Sequence, residues 1–229
     1  MKNESPKSNQ PRRSEAKAGV PSPKLVAGAP LLILISAPSG GGKTTLCEML
    51  LAACPHMTRA VTCTTRAPRP GEKDGVDYYF LEAGNFLKRL QAGNFLEHAT
   101  VYGNSYGLLK SELLGKLREG KDVLLNVDVQ GAATIREQAL EDPELSRALV
   151  TVFLTPAAVE ELEVRLKKRG SDEPAVIKKR LGVARQEVAQ WKNFNYLLIS
   201  TTKPEDLRRM LAIVETEKMR VARSQAPEF

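Results

Sequence analysis

Short apolar runs alternate with amphipathic stretches along most of the chain. The run Leu31–Ile35 contains only apolar side chains, which is typical of a strand buried on both faces of a parallel sheet. Further strands are predicted at Thr58–Thr62, Val123–Val127, Leu149–Leu154 and Tyr196–Ser200. Because strands that alternate with helices form a parallel sheet covered on both faces, the pattern predicts an α/β fold.

Helices are predicted in the stretches between and after these strands. Three of them are expected at about Gly42–Ala53, Pro174–Trp191 and Pro204–Arg220. A fourth is predicted over Thr155–Lys168, because a threonine followed by a proline is typical of an N-cap with proline at the first helical position.

The stretch from Thr62 to Leu109 does not follow this alternation. It contains a proline- and glycine-rich turn at Arg69–Gly71, and short strand-like pieces around Tyr78–Phe80 and Phe95–Val101. The residues between these pieces, Leu81–Ala92, have helical character. The stretch is therefore predicted to be a small α+β insertion in the α/β core.

The composition is that of a soluble globular protein, with 42% hydrophobic and 27% charged residues in a chain of 229. The apolar stretch Leu25–Ile35 is too short to span a bilayer and is interrupted by Gly28 and Pro30, so no transmembrane segment is expected. The three cysteines have no metal-ligand spacing, which favours free, reduced thiols and a cytoplasmic location.

Residues 1–28 contain almost no large apolar side chains. Such a segment cannot offset the entropy of ordering, so a disordered basic tail is predicted. With six basic and two acidic residues, the tail carries +4 of the net charge of +7. The remaining charge is ordinary for an enzyme that binds polyanionic substrates, and no aromatic–basic pattern points to a nucleic-acid partner.

A glycine-rich loop follows the first predicted strand directly and precedes a predicted helix. Its sequence, Ala37-Pro-Ser-Gly-Gly-Gly-Lys43-Thr44, has the spacing of a P-loop with alanine in place of the first glycine. Glycines let successive backbone N–H groups converge on phosphate oxygens, and the helix N-terminus adds positive potential. Lys43 is expected to reach the β- and γ-phosphates, and the Thr44 hydroxyl to bind Mg²⁺. The predicted ATP-binding residues are Ala37, Pro38, Ser39, Gly40, Gly41, Gly42, Lys43, Thr44 and Thr45.

A candidate phosphate clamp lies about twenty residues further on. Arg66 and Arg69 flank a proline-stiffened turn and can bind one phosphate dianion through forked hydrogen bonds. Taken alone, these arginines are better explained as part of a solvated surface.

The string from Thr64 to Phe80 resembles the guanylate kinase signature T-T-R-x-P-R-x-G-E-x-x-G-x-x-Y-x-F at every defined position. Together with the P-loop, it makes residues 31 to about 200 similar to the guanylate kinase family of P-loop nucleoside monophosphate kinases. The resemblance implies a core sheet of five parallel strands in the order 2-3-1-4-5. It also implies an inserted small α+β subdomain that binds the acceptor, and a short helical lid. The predicted parts are a tail at 1–28, a domain at 29–222 and a flexible C-terminus at 223–229. Within the domain they are a core at 29–61 and 110–222, a GMP-binding insertion at 62–109 and a lid at 165–180.

The resemblance implies ATP- and Mg²⁺-dependent phosphorylation of GMP and dGMP to GDP and dGDP, in purine metabolism. The expected partners are the nucleotides ATP and GMP, with no nucleic acid and no membrane, and the chain is expected to be a cytoplasmic monomer or homodimer. It assigns Glu97 to guanine N1–H and the 2-amino group, two donors that adenine lacks. The implied GMP-binding residues are Thr62, Arg66, Arg69, Tyr78, Glu97, Tyr106 and Asp128. The implied catalytic residues are Lys43, Arg165, Arg169 and Arg180. The implied metal contacts are Thr44 directly and Asp128 through water.

Three positions depart from the family pattern. Leu108 stands where a threonine or serine usually donates to guanine O6, Asn126 where an acidic residue is common, and Ser200 where an asparagine commonly lies near adenine. Leu108 supports one alternative, a kinase of the same fold with a different phosphorylated acceptor.

A catalytically inactive binding module is a second alternative, which the retained Lys43, Thr44, Arg66 and Arg69 disfavour. Single residues also have alternatives to a role in the site. Arg165, Arg169 and Arg180 could form a basic helix face, and Asp128 could cap the helix that follows it.

Overall fold

The computed structural model describes residues 28–101, 103–168 and 174–224. Its strands are β1 (Leu32–Ser36), β2 (Met57–Arg59), β3 (Cys63–Thr64), β4 (Tyr79–Phe80), β5 (Phe95–Val101), β6 (Asn104–Leu109), β7 (Asp122–Asn126), β8 (Leu149–Pro156) and β9 (Tyr196–Ser200). Its α-helices are α1 (Lys43–Ala53), α2 (Ala83–Gln91), α3 (Lys110–Arg118), α4 (Val129–Glu141), α5 (Pro143–Ala148), α6 (Val159–Lys168), α7 (Pro174–Val188) and α8 (Lys203–Lys218). Two 3₁₀ turns lie at Trp191–Asn193 and Val221–Arg223.

The core is a five-stranded parallel sheet in the order β2-β7-β1-β8-β9. Counted among themselves along the chain, these strands have the order 2-3-1-4-5, so the predicted fold class and strand order are confirmed. β1 lies in the centre, and every residue from Leu31 to Ile35 is fully buried. The uninterrupted apolar run therefore reflects burial on both faces of the sheet.

The two faces of the sheet carry separate apolar cores. On one face Ile33 and Ile35 pack with Leu46 of α1 and Met210 of α8. On the other face Leu32 and Leu34 pack with residues of α3, α4 and α5. This packing fixes the carboxyl ends of the core strands, where open α/β sheets bind ligands.

A second, four-stranded mixed sheet has the order β4-β3-β6-β5. Helix α2 packs on it through Phe86, whose ring stacks on that of Phe95 with a centroid distance of 4.4 Å. Gly107 of β6 has to be glycine, since a Cβ there would lie 2.7 Å from the Phe95 ring. These elements fall within the stretch predicted as an α+β insertion.

The structure corrects the predicted start of the fourth helix. Thr155 and Pro156 end strand β8, where they pair with Ile199 and Ser200 of β9, and α6 begins only at Val159. Pro156 occupies the last position of β8, so its missing N–H does not interrupt the middle of the hydrogen-bonded ladder. The apparent capping sequence is therefore a strand end.

Ordered packing also extends beyond the predicted limits of the domain. Arg223 was expected in a flexible C-terminus, but it is buried, pairs with Glu217 and donates to the carbonyls of Arg147 and Leu149. At the other end, the N–H of Ala29 donates to the Arg223 carbonyl. Residues 1–27 and 225–229 lie outside the described part of the chain.

The three cysteines all lie within the described part of the chain. All three cysteines are free thiols, and burial raises the pKa of Cys47 and of Cys63 to about 11. None of the helices within the described ranges is long and apolar enough to cross a membrane.

Candidate active site

The P-loop connects β1 to α1 at the carboxyl edge of the core sheet. Gly40 and Gly42 have φ angles of 84° and 93°, in the left-handed region that favours glycine. The N–H of Gly41 donates to the Pro38 carbonyl at 2.8 Å and closes the turn. A Cβ at Gly41 would lie 2.9 Å from the same carbonyl, so the loop tolerates no side chain there. The glycine run therefore gives the loop its shape, as the sequence predicts.

Lys43 lies at the start of α1 and points toward the end of β7. Its Nζ donates to the Val127 carbonyl at 2.8 Å. Burial lowers the pKa of Lys43, and the nearby carboxylates of Asp128 and Glu187 partly oppose this effect. Asp128 caps α4, since its Oδ1 accepts from the N–H of Gly131 at 2.8 Å. The helix-cap alternative for Asp128 therefore applies, and the carboxylate still lies near Lys43.

A cavity of about 360 Å³ lies on one side of the P-loop. Arg165 of α6 reaches it, with both terminal nitrogens 3.5 Å from the Ser200 hydroxyl. Ser200 in turn donates to Asp206 of α8 at 2.8 Å. The cavity lining consists of Gly40, Gly42, Thr45, Leu46, Met49, Arg165, Ser200, Thr201, Lys203 and Asp206. A ligand here would touch the loop glycines and Arg165 together.

The predicted phosphate clamp is largely assembled in the second sheet. The Arg66 guanidinium lies 5.5 Å from the centre of the Tyr78 ring and interacts with Tyr106. The rings of Tyr78 and Tyr106 meet edge to face at 6.1 Å. Glu72 holds Arg66 through two hydrogen bonds of 2.9 and 3.0 Å, and it also accepts from the backbone N–H of Arg69 at 2.7 Å.

A second cavity, of about 600 Å³, extends from this clamp to the edge of the core sheet. Glu97 and Leu108 lie directly opposite each other on β5 and β6, and both line this cavity. Thr62 and Asn126 also contribute to its wall. It therefore joins the clamp to a partly apolar chamber with a carboxylate in its wall.

A β-bulge sets the direction of Glu97. The pairing shifts between Phe95 and Glu97, so Leu96 can enter the core while the next residue faces the cavity. Burial raises the pKa of Glu97, with a further contribution from Asp128. Within the described residues, no group donates a hydrogen bond to this carboxylate. Glu97 is therefore a half-buried acceptor oriented toward a ligand site.

The predicted site residues fall into two groups around the P-loop. Thr62, Tyr78 and Glu97 line the larger cavity, and Arg66 and Tyr106 contact Tyr78 beside it. Arg165 and glycines of the P-loop line the smaller cavity.

The remaining predicted residues line neither of these two cavities, or lie outside the described part of the chain. The Arg69 side chain is exposed and the Thr44 side chain is open to solvent. Arg180 lies on α7, whereas Arg169 lies outside the described residues.

Two acidic residues of the site were not predicted. Glu72 is part of the Thr64–Phe80 signature, and in the structure its carboxylate accepts two hydrogen bonds from Arg66. Glu187 of α7 accepts a hydrogen bond from the Ser39 N–H of the P-loop at 3.3 Å. No local sequence signal places Glu187 there, because 148 residues separate the two partners.

Comparison with known proteins gives a consistent result. The guanylate kinase family model matches residues 30–217. A guanylate kinase of Coxiella burnetii is 41% identical over 188 residues, covering 82% of this chain and 88% of its own. One from Clostridium perfringens is 40% identical over 193 residues, covering 84% and 86%.

The fold of this chain is also similar to that of a solved structure. A crystal structure of guanylate kinase from Anaplasma phagocytophilum is 29% identical and superimposes with a TM-score of 0.62, covering 85% of this chain and 89% of that one. The P-loop, the arginine–tyrosine clamp and the extent of these matches lead to one assignment. The chain belongs to the guanylate kinase family and is a kinase.

Proposed function

We propose that this protein transfers the γ-phosphoryl group of ATP to GMP and dGMP, producing ADP with GDP or dGDP. The observation that carries the proposal is the larger cavity, in which Glu97 faces a chamber that also borders the arginine–tyrosine clamp. A guanine base offers N1–H and the 2-amino group side by side, and a carboxylate accepts both. Adenine offers neither, so an AMP base would leave this carboxylate desolvated and unpaired.

The donor phosphates bind to the P-loop in this proposal. The loop N–H groups and the N-terminus of α1 hold the phosphate oxygens, and Lys43 leaves the Val127 carbonyl to meet the β- and γ-phosphates. The smaller cavity, beside Thr45 and Ser200, receives the nucleoside. Arg165 is close enough to the loop to reach the transferring group, since a Cβ on Gly42 would lie 3.8 Å from its Nη1.

The acceptor phosphate binds between Arg66, Tyr78 and Tyr106, with Arg69 closing over it. One oxygen of the acceptor phosphate attacks the γ-phosphorus, so that a new P–O bond forms while the bond to the β–γ bridging oxygen breaks and ADP leaves. The acceptor oxygen is already a nucleophile near neutral pH, so the reaction needs no general base. Catalysis therefore rests on alignment and on positive charge around the transferring group.

The residues around the P-loop also fit Mg²⁺. No cluster of three or more His, Cys, Asp or Glu side chains that could hold a metal lies within the described ranges, and Mg²⁺ bound mainly by phosphates needs none. Thr44 has an exposed hydroxyl at the start of α1, and Asp128 lies near Lys43. We assign Thr44 as a direct ligand and Asp128 as a contact through water. The ion neutralises charge on the β- and γ-phosphates when it is bound.

The remaining assignments complete the proposal. We propose that residues 62–109 form the acceptor-binding part and residues 165–180 a lid. Arg180, and Arg169 outside the described residues, add positive charge when the lid closes. Closure excludes water, which would otherwise hydrolyse ATP. This activity belongs to purine nucleotide metabolism.

Product analysis tests the proposal. The purified chain is incubated with Mg·ATP and GMP, and the nucleotides are separated by ion-exchange chromatography. We expect ADP and GDP to appear in equal amounts, and neither to form without GMP. ADP release that does not depend on GMP, or conversion of GMP to a product other than GDP, would overturn the assignment. The Lys43→Met variant serves as an inactive control.

A further inference from the structure

Glu187 contacts the P-loop from a distant part of the chain. It is half-buried near the end of α7, and its Oε2 accepts from the N–H of Ser39 at 3.3 Å. Pro38 has no N–H, so Ser39 supplies the first backbone donor after it in the loop. The carboxylate therefore uses one of the N–H groups through which a P-loop attracts anions.

The electrostatic surroundings of Glu187 are those of an anion site. Lys43 is near enough to stabilise its charge, whereas Asp128 opposes it. Burial raises the pKa of Glu187, and the hydrogen bond from Ser39 acts in the opposite direction. A polyphosphate that binds the loop would use the same Ser39 N–H and the same Lys43 side chain. The negative charge of Glu187 would repel it.

Helices α6 and α7, which carry the proposed lid residues, both contact the P-loop. Leu166 of α6 lies against Gly40, where a Cβ would be 3.3 Å from its side chain. On α7, Arg180 and Glu187 are seven residues apart and therefore lie on the same helix face, within about 20° of each other. Glu187, which accepts from the Ser39 N–H, and Arg180, a proposed lid arginine, therefore lie on the same helix.

We propose that Glu187 is an internal competitor for the donor phosphates, which must displace its carboxylate from the Ser39 N–H before they bind the P-loop. This inference rests on the proposed function only in that the loop binds ATP. Displacement breaks the hydrogen bond between α7 and the loop, so donor binding and the position of the lid helix become linked. Glu187 is accordingly a positioning residue, whose charge lowers the affinity for the donor.

Calorimetric titration without acceptor nucleotide tests the proposal. Pyrophosphate, ADP and adenosine are titrated separately into the full chain and into the Glu187→Gln variant. We expect glutamine to tighten the binding of pyrophosphate and ADP about tenfold, because it removes a charge-assisted competitor. Adenosine carries no phosphate, so its affinity should not change. In steady-state turnover, the KM for ATP should fall while the KM for GMP stays constant.

Two further variants make the test specific. Glu163→Gln removes the same charge from the exposed ion pair with Lys167 on α6, and it should bind pyrophosphate like the wild type. Glu187→Asp keeps the charge but shortens the reach, and it should also bind pyrophosphate more tightly than the wild type. It replaces Glu187→Gln in the test if that variant does not fold.

The possible outcomes separate the inference from the proposed function. Pyrophosphate affinities within twofold of wild type in the folded Glu187 variants, or weaker binding, would overturn the inference alone. An equal gain in Glu163→Gln would also overturn it, because the effect would then be one of overall charge. Failure of the wild type to bind ADP or pyrophosphate would overturn the proposed function and this inference with it.

Discussion

Replacing Glu97 by glutamine should affect activity and stability in opposite directions. In the proposed complex the carboxylate accepts from two base donors, and each hydrogen bond to a charged group contributes about 1.5–3 kcal/mol. Glutamine has the same shape, but it turns an amide N–H₂ toward one of those donors. We expect a loss of about 3 kcal/mol in transition-state binding, or roughly 100-fold in kcat/KM for GMP. The KM for ATP should stay within twofold, because Glu97 lines the larger cavity and is not among the residues that line the cavity beside the P-loop.

The same substitution should not destabilise the fold. Among the described residues Glu97 receives no hydrogen bond, and both burial and Asp128 disfavour its charge. Removing that charge should stabilise the protein by up to about 1 kcal/mol, which raises Tm by about 2–4 °C in a chain of this size. Thermal scanning fluorimetry measures this change. A fall in Tm of several degrees would show that Glu97 supports the structure.

Coupled ADP-release kinetics at saturating ATP measure the effect on GMP. Glu82→Gln is the matched control, since Glu82 is exposed in the same subdomain and its side chain caps no backbone N–H of α2. That variant should behave like the wild type. A Glu97→Gln enzyme that keeps kcat/KM for GMP within threefold of wild type would refute the assigned role.

The raised pKa of Glu97 gives a pH dependence with a defined sign. The carboxylate protonates at a higher pH than an ordinary glutamate, chiefly because of burial. As the pH falls through this pKa, kcat/KM for GMP should decrease, and the Glu97→Gln variant should lack that component. The folded chain binds this proton more readily than the unfolded chain. The Glu97 contribution therefore favours folding at low pH and is lost as the pH rises through the folded-state pKa.

Three further substitutions probe other parts of the site. Leu108→Thr should lower the KM for GMP about fivefold, because threonine adds one hydrogen-bond donor. It should also lower Tm by about 5 °C, because a buried apolar side chain is lost. Unchanged kinetics would mean that the base does not approach this position. Arg69→Ala should raise the KM for GMP far more than that for ATP in steady-state assays, and an equal effect on both would contradict its place in the clamp. Glu72→Gln should raise the KM for GMP about tenfold through a poorly held Arg66, with the KM for ATP as the internal control.

The core can be predicted from the sequence because its apolar strands and its glycine-rich loop give strong local patterns. Leu31–Ile35 is apolar throughout, as a central strand buried on both faces requires, and the strand was placed within one residue. The P-loop was located through glycines whose left-handed backbone the structure contains at Gly40 and Gly42. The predicted helix start at Thr155 and Pro156 is wrong, because these residues are compatible with both a helix cap and a strand end. Their pairing with β9, which the local sequence does not show, decides for the strand end.

The parts that sequence reasoning missed depend on contacts between distant residues. Arg223 looked like the start of a flexible end, because its partners Glu217, Arg147 and Leu149 lie elsewhere in the chain. The bulge that directs Glu97 toward the cavity follows from strand register, which local alternation does not specify.

The acceptor preference is the central claim, and a nucleotide panel tests it most directly. ADP release is measured with Mg·ATP and, in turn, GMP, dGMP, AMP, CMP and UMP as acceptors. We predict turnover with GMP and dGMP, and kcat/KM for AMP, CMP and UMP lower by at least about 100-fold, because only guanine supplies both donors to Glu97. Comparable turnover of AMP, or faster turnover of any other acceptor than of GMP, would contradict the account.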